Sequence, residues 1–102
     1  MKEFIISIFT FLLIMSCDTQ INIDKGYAKF NTNCVSCHGS DGKSSMEQYP
    51  NLKGQKRFYI SKQLKEFKAG TRKDPYMNAI ASTLTVEEIE NLATYLSSQT
   101  CK

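Results

Sequence analysis

An all-α fold is the class this chain predicts, and three features carry the expectation. From position 24 onward the apolar residues fall into separate blocks with three- and four-residue spacing, the period of a helix face rather than of a strand. Helix start and stop signals stand at the block edges: Asp24, Gly70, Asp74 followed by Pro75, and Thr85 with Glu88 three residues on. No segment reads as a strand, an internal repeat or a low-complexity tract. With 102 residues and a formal net charge of +3, the chain has room for one domain.

The first sixteen residues stand apart from that domain. Lys2 precedes the apolar run "FIISIFTFLLIM", a charged start followed by a hydrophobic stretch too short to span a bilayer comfortably. The "IMSC" at its end resembles a bacterial lipobox, in which the signal is cut before a cysteine that carries lipid chains. The expected organisation is therefore a lipoprotein-type signal peptide over 1–16, a lipid anchor on Cys17, a short tether over 17–23 and the folded domain over 24–102. Two or three acyl chains on one N-terminus hold a protein to a membrane stably, at roughly 0.8 kcal/mol per buried methylene. Were Cys17 not lipidated, a disulfide with Cys101 becomes an alternative, since the ends of small domains often lie close together. Both readings export the protein, to the periplasm or the outer face of the cytoplasmic membrane.

Within the domain each element has its own local cause. Asp24 is the expected cap of a first helix, "KGYAKFNTNC", which carries Tyr27 and Phe30 on one face and runs into "CVSCH" at 34–38. From Gly39 to Gly54, glycine, serine, Asp41 and Pro50 break any periodicity and predict a loop. "QKRFYISKQLKEFKAG" predicts a helix with Ile60, Leu64 and Phe67 on its apolar stripe, a basic opposite side, and Gly70 as its stop. "TRKDPYMNAIAS" predicts a short helical turn capped by Asp74, with Pro75 at the first helical position. The last helix opens with a Thr85–Glu88 capping box and repeats Val86, Ile89, Ala93 and Leu96 at helical spacing.

Cys34, Cys37 and His38, the chain's single histidine, carry the chemistry. Structural zinc needs four ligands, and the chain has neither a second C-x-x-C pair nor a distant pair of histidines. A redox dithiol belongs at a helix N-terminus in a strand-helix-strand setting, and no parallel strands are in sight. The remaining chemistry is c-type haem attachment, in which the two thiols add across the haem vinyl groups and the adjacent imidazole reaches the iron. Export fits it, because covalent haem is attached outside the cytoplasmic membrane. About 86 residues remain after signal cleavage, a length at which side chains alone make a marginal core, and a tethered haem would supply much of the rest. With no second histidine, methionine is the candidate for a second axial ligand. Met46 follows His38 too closely and is expected to be a packing residue, whereas Met77 lies far enough along to fold over the other haem face.

The segments "CVSCHGSDGKSS", "YPNLKGQKRFYISKQLKEFKAGTRKD" and "YMNAIASTLTVEEIENLATYLSSQ", in this order, resemble a class I cytochrome c of the single-haem cytochrome c553 and c4-like group. The resemblance covers nearly all of residues 25 to 99. It implies a small cytochrome c fold, helices wrapped around one covalent haem c, with Cys34 and Cys37 attached to the haem, His38 as proximal iron ligand and Met77 as distal one. It further implies that the Pro50 carbonyl accepts a hydrogen bond from the His38 ring, and that the first and last helices cross through Gly26, Phe30 and Tyr95. The group's c4 members carry two such domains; this chain has one.

Two axial ligands leave no iron position for a substrate, so the resemblance implies an electron carrier rather than an enzyme. Its expected partners are redox proteins: a quinol-cytochrome c reductase and a terminal oxidase, or a periplasmic dehydrogenase to which this chain is a haem subunit or electron acceptor. An open-site haem enzyme or gas sensor is the alternative if Met77 is not a ligand. Basic residues crowd positions 43–73 while Glu87, Glu88 and Glu90 cluster on the last helix; this polarity would speed association with an acidic partner face. Nucleic acid would suit the same charge but is not expected to meet an exported chain.

Overall fold

The computed structural model describes residues 22–99. The expected signal peptide, Cys17, Cys101 and all but the last two tether residues lie outside the described residues. Those described form five helices: α1 over 22–33, α2 Val35–His38, α3 Arg57–Ala69, α4 Pro75–Ser82 and α5 Val86–Ser98, with no strand among them.

Residues 22 and 23 are already helical, so Asp24 sits inside α1 rather than at its cap. Ile23 packs against the core, and that burial favours another turn of helix over the local cap. α1 crosses α5 at Gly26, where a Cβ would lie 2.0 Å from the Asn91 carbonyl oxygen and 2.8 Å from the Tyr95 Cβ. Only a residue without a side chain lets the two backbones meet this closely. Around the crossing, Tyr27 stands edge-on to Tyr95 at 5.4 Å and the fully buried Phe30 packs on the same ring at 5.6 Å. The three positions expected at this crossing are in contact.

α5 begins with the expected capping box: the Glu88 amide donates to Thr85 Oγ1 at 3.1 Å and the Thr85 amide to Glu88 Oε1 at 2.9 Å. Lys29 of α1 reaches Glu88 Oε2 at 2.8 Å, and the two contacts hold its carboxyl below the usual range, the lysine first. Val86 departs from the expected stripe and is exposed. The buried residue at this end is Leu84, just before the cap, which with Ile89 brackets the helix start as a hydrophobic staple. Ile89, Leu92, Ala93, Tyr95 and Leu96 complete the α5 contribution to a core shared with Phe30 and Ile60. Burying a side chain of this size contributes about 2–3 kcal/mol.

α3 ends at Gly70, whose φ of +80° is the left-handed conformation a helix stop requires and whose amide bonds back to the Glu66 and Phe67 carbonyls. It is tied to α5 through Glu90, which accepts from Ser61, from Lys65 at 3.0 Å and from Arg57 at 3.4 Å. It is tied to the end of α4 through Lys68, whose ammonium donates to the carbonyls of Ser82 and Leu84. Between α2 and α3 the chain is irregular. The Gly42 carbonyl there accepts from both Leu52 (2.7 Å) and Lys53 (3.1 Å), Lys53 Nζ meets Asp41 at 3.0 Å, and Gly54 donates to the Leu96 carbonyl at 3.0 Å. The loop is thus closed at its neck and stitched to α5.

Candidate cofactor site

A cavity of about 490 Å³ opens between the helices. Its walls draw on α1 (Phe30), on Cys34, Cys37 and His38, on Pro50 of the loop, on Ile60, Leu64 and Phe67 of α3, on Met77 and Ile80 of α4, and on Leu92 and Leu96 of α5. Every residue singled out in the sequence as a haem contact, Cys34, Cys37, His38, Pro50 and Met77, lines this one space.

The two thiols are held by the short α2. Cys34 stands at the turn between α1 and α2, where its amide bonds to the Phe30 carbonyl at 2.9 Å and its carbonyl accepts from His38 at 3.0 Å. One helical turn therefore sets the spacing of both sulfurs and the ring. Burial pushes the Cys34 thiol up to about 11, against the pull of Lys29. A sulfur so placed favours an uncharged state, and a thioether is permanently uncharged.

His38 is buried, and its Nδ1 lies 2.9 Å from the Pro50 carbonyl oxygen. A carbonyl only accepts, so the proton is on Nδ1 and the lone pair on Nε2. This is the tautomer a metal-binding imidazole needs, with its orientation fixed from outside the ligand set. Tyr49 adds an edge-on contact to the ring at 6.3 Å.

Met77 arrives from another part of the chain. Asp74 caps α4 by accepting from the Met77 amide at 2.8 Å, and Pro75 supplies the fixed φ of the first helical residue. The expected helical turn is a helix of eight residues. Met46 corrects an expectation: it is exposed at the loop tip, so it is neither a cavity residue nor a packing one. The loop there is held by short-range bonds through Ser44 and needs no buried anchor.

Arg72, Lys73, Tyr59 and Tyr76 also border the cavity. Arg72 is engaged on the protein itself, its guanidinium 4.6 Å from the Phe67 ring centroid and bonded to Gln63. With Lys53 on Asp41, Arg57 and Lys65 on Glu90, and Lys68 on the Ser82 and Leu84 carbonyls, much of the basic segment is employed within the fold. Side chains that face other elements cannot be told from solvated ones by charge order alone. Tyr59, Gln63 and Tyr76 line the cavity but were not legible as site residues, because their placement depends on how α3 and α4 meet.

The donor set fits a covalently held haem. Two thiols, one imidazole with a fixed tautomer and one thioether sulfur meet in a cavity whose remaining walls are largely aliphatic and aromatic. No group of three or more His, Cys, Asp or Glu side chains suited to an ion occurs among the described residues.

Comparison with known proteins agrees with this chemistry. Residues 23–100 match the family model described as cytochrome c. Cytochrome c-552 of Acidithiobacillus ferridurans is 46% identical over 65 residues, 64% of this chain and 28% of that protein. Cytochrome c-554(548) of Halomonas halodenitrificans is 41% identical over 69 residues, 65% of this chain and 83% of that one. The thiosulfate dehydrogenase electron acceptor of Stutzerimonas stutzeri is 38% identical over 64 residues, 62% of this chain and 30% of that protein. Among solved structures, cytochrome c4 of Acidithiobacillus ferrooxidans superposes with a TM-score of 0.71 at 42% identity, covering 76% of this chain and 49% of the other. Reduced cytochrome c4 of Pseudomonas stutzeri gives 0.72 at 26% identity, covering 79% and 50%. Apart from the Halomonas protein, the chain spans half or less of each of these relatives. The all-helical fold, the cavity and the matched family model together establish that this chain belongs to the cytochrome c family, whose members carry covalently bound haem c with its iron and transfer electrons.

Proposed function

We propose that this protein is an exported one-electron carrier that holds one haem through Cys34 and Cys37, with His38 as proximal and Met77 as distal iron ligand. A bound haem supplies an Fe(III)/Fe(II) couple. The residues do the rest: the thioethers and α2 fix the cofactor's position, Pro50 holds the His38 ring proton at Nδ1, and the apolar walls exclude water. A soft thioether sulfur favours the ferrous state and raises the potential relative to two imidazoles. With His38 and Met77 both holding the iron, a bound haem would keep no position for substrate, which is why we assign transfer and not catalysis. The observation that carries the reading is the convergence of His38, its Nδ1 committed to Pro50, with Met77 on one cavity.

The test is the absorption spectrum of the exported protein when oxidised, when reduced, and when reduced under carbon monoxide. A c-type α-band, a weak far-red thioether-to-iron band in the oxidised form and no carbon monoxide response are expected. Met77→Ala should abolish the far-red band and admit carbon monoxide. A wild-type protein that already binds carbon monoxide would turn the reading toward an open-site enzyme or sensor.

The proposed organisation is a signal peptide over 1–16, a tether over 17–23 and the cytochrome domain over 24–102, with Cys17 lipidated so that the domain works at the outer face of a membrane or in the periplasm. Cys17→Ser should release the protein to the soluble fraction, and intact-mass measurement of wild type should find the lipid. The partners we propose are a quinol-cytochrome c reductase upstream and a terminal oxidase downstream. A second reading, acceptor for a periplasmic dehydrogenase, is favoured by the likeness to a thiosulfate dehydrogenase electron acceptor. Comparing the rate of haem reduction by quinol plus the reductase with that by thiosulfate plus its dehydrogenase decides between them.

A further inference from the structure

Asn78 follows Met77 and is the most heavily bonded side chain near it. Its Nδ2 donates to the Phe67 carbonyl at 2.9 Å and to the Arg72 carbonyl at 2.8 Å, while its Oδ1 accepts from the Asp74 amide at 2.9 Å. Its own amide donates to the Asp74 carbonyl at 2.8 Å. Two carbonyls need the NH₂ and one amide needs the oxygen, so the carboxamide has a single satisfactory orientation. One side chain thereby joins the end of α3, the middle of the 70–74 loop and the start of α4. The Asp74 it holds is the residue whose carboxylate receives the Met77 amide. A second fastening, Arg72 over Phe67 and onto Gln63, secures the outer side of the same loop.

We propose that Asn78 is the positioning residue of Met77: its carboxamide locks the α3–loop–α4 junction so that the methionine sulfur is presented to the cavity with little freedom to leave. The inference rests on Met77 being the distal ligand. A thioether binds iron weakly enough that its retention depends on the segment that carries it. Without the lock the segment swings between bound and released arrangements, and the released fraction grows by the worth of the bonds removed.

The test uses the haem-loaded protein and two variants, Asn78→Asp and Asn78→Ala. Asn78→Asp is nearly isosteric and keeps the acceptor for the Asp74 amide, but it replaces both donors with an oxygen that faces two carbonyls. The readouts are the intensity of the far-red band of the oxidised protein and the fraction of the reduced form that binds carbon monoxide. Loss of two neutral hydrogen bonds should raise the released fraction roughly tenfold or more, read as a weaker far-red band. Carbon monoxide binding should become measurable, while the α-band and the helical circular dichroism remain.

Gly26→Ala, at the remote α1–α5 crossing, is the stability control. Should it raise the carbon monoxide-binding fraction as much as Asn78→Asp for the same loss of thermal stability, Asn78 is merely structural and the proposal is overturned; an unchanged fraction in both Asn78 variants overturns it as well. The reading beneath it fails separately: if wild type has no far-red band and Met77→Ala leaves the spectra unchanged, Met77 is not the ligand and the positioning role falls with it.

Discussion

Glu90 is one carboxylate facing three donors of α3. The Ser61 hydroxyl comes first and the Lys65 ammonium next in holding its carboxyl below the ordinary value of 4.5, with Arg57 adding to them. A carboxylate whose folded value is depressed contributes stability that is fully present above its unfolded value and is lost as pH falls through the folded one. Glu90→Gln should therefore destabilise the protein at neutral pH by about 0.5–1 kcal/mol, a figure reduced for the solvent reaching this pair. The gap to wild type should narrow as pH drops below 4.5, and denaturant unfolding at a series of pH values measures it. Residues of this kind mark the limit of reading from sequence. Cys34, Cys37 and His38 declare themselves within five positions, because their chemistry requires adjacency. Glu90 and Asn78 look like surface residues until α3, α4 and α5 are assembled around them.

Between elements, the closest approach is the α1–α5 crossing. The glycine there is needed for space rather than for an unusual φ, so even one methyl group has nowhere to go: the Asn91 carbonyl and the Tyr95 side chain occupy its position. Gly26→Ala should cost about 1–3 kcal/mol as the helices separate and the Tyr27–Tyr95–Phe30 contacts loosen, read as a lower thermal midpoint with haem retained. Element identity was legible because its causes are local: the capping box of α5, the Gly70 stop of α3 and the Asp74–Pro75 start of α4 each reside in a few consecutive residues. What failed were features set from outside the element. Asp24 gave up its cap to the packing of Ile23, and Val86 gave up the buried position to Leu84. The crossing itself came from family resemblance, since no spacing rule says which glycine lies under which helix.

For the whole molecule, the decisive quantity is the size of the cavity against the size of the core. A cavity of about 490 Å³ with largely apolar walls leaves those walls to water when no haem covers them, so much of the apolar burial comes with the cofactor. A small domain has only about 5–15 kcal/mol of stability in all, so burial on this scale decides whether it folds. A Cys34→Ser/Cys37→Ser chain, exported without covalent haem, should accordingly lose most of its helical circular dichroism, with any remainder lacking a cooperative thermal transition. Such a dependence could be anticipated from chain length, but the cavity's walls could not, because they are gathered from residues 30 to 96 and exist only after the chain has closed. The loop between α2 and α3 has a further consequence of a different kind. Because Leu52 and Lys53 both bond to the Gly42 carbonyl, the path length through the exposed residues 45–47 is invisible to everything beyond the neck. Loop entropy rises only slowly with length, about 0.6 kcal/mol per doubling. The tip around Met46 is thus a natural splice point, where a peptide label or a surface-tethering cysteine can be written into the chain while α3, beyond the neck, stays where it is.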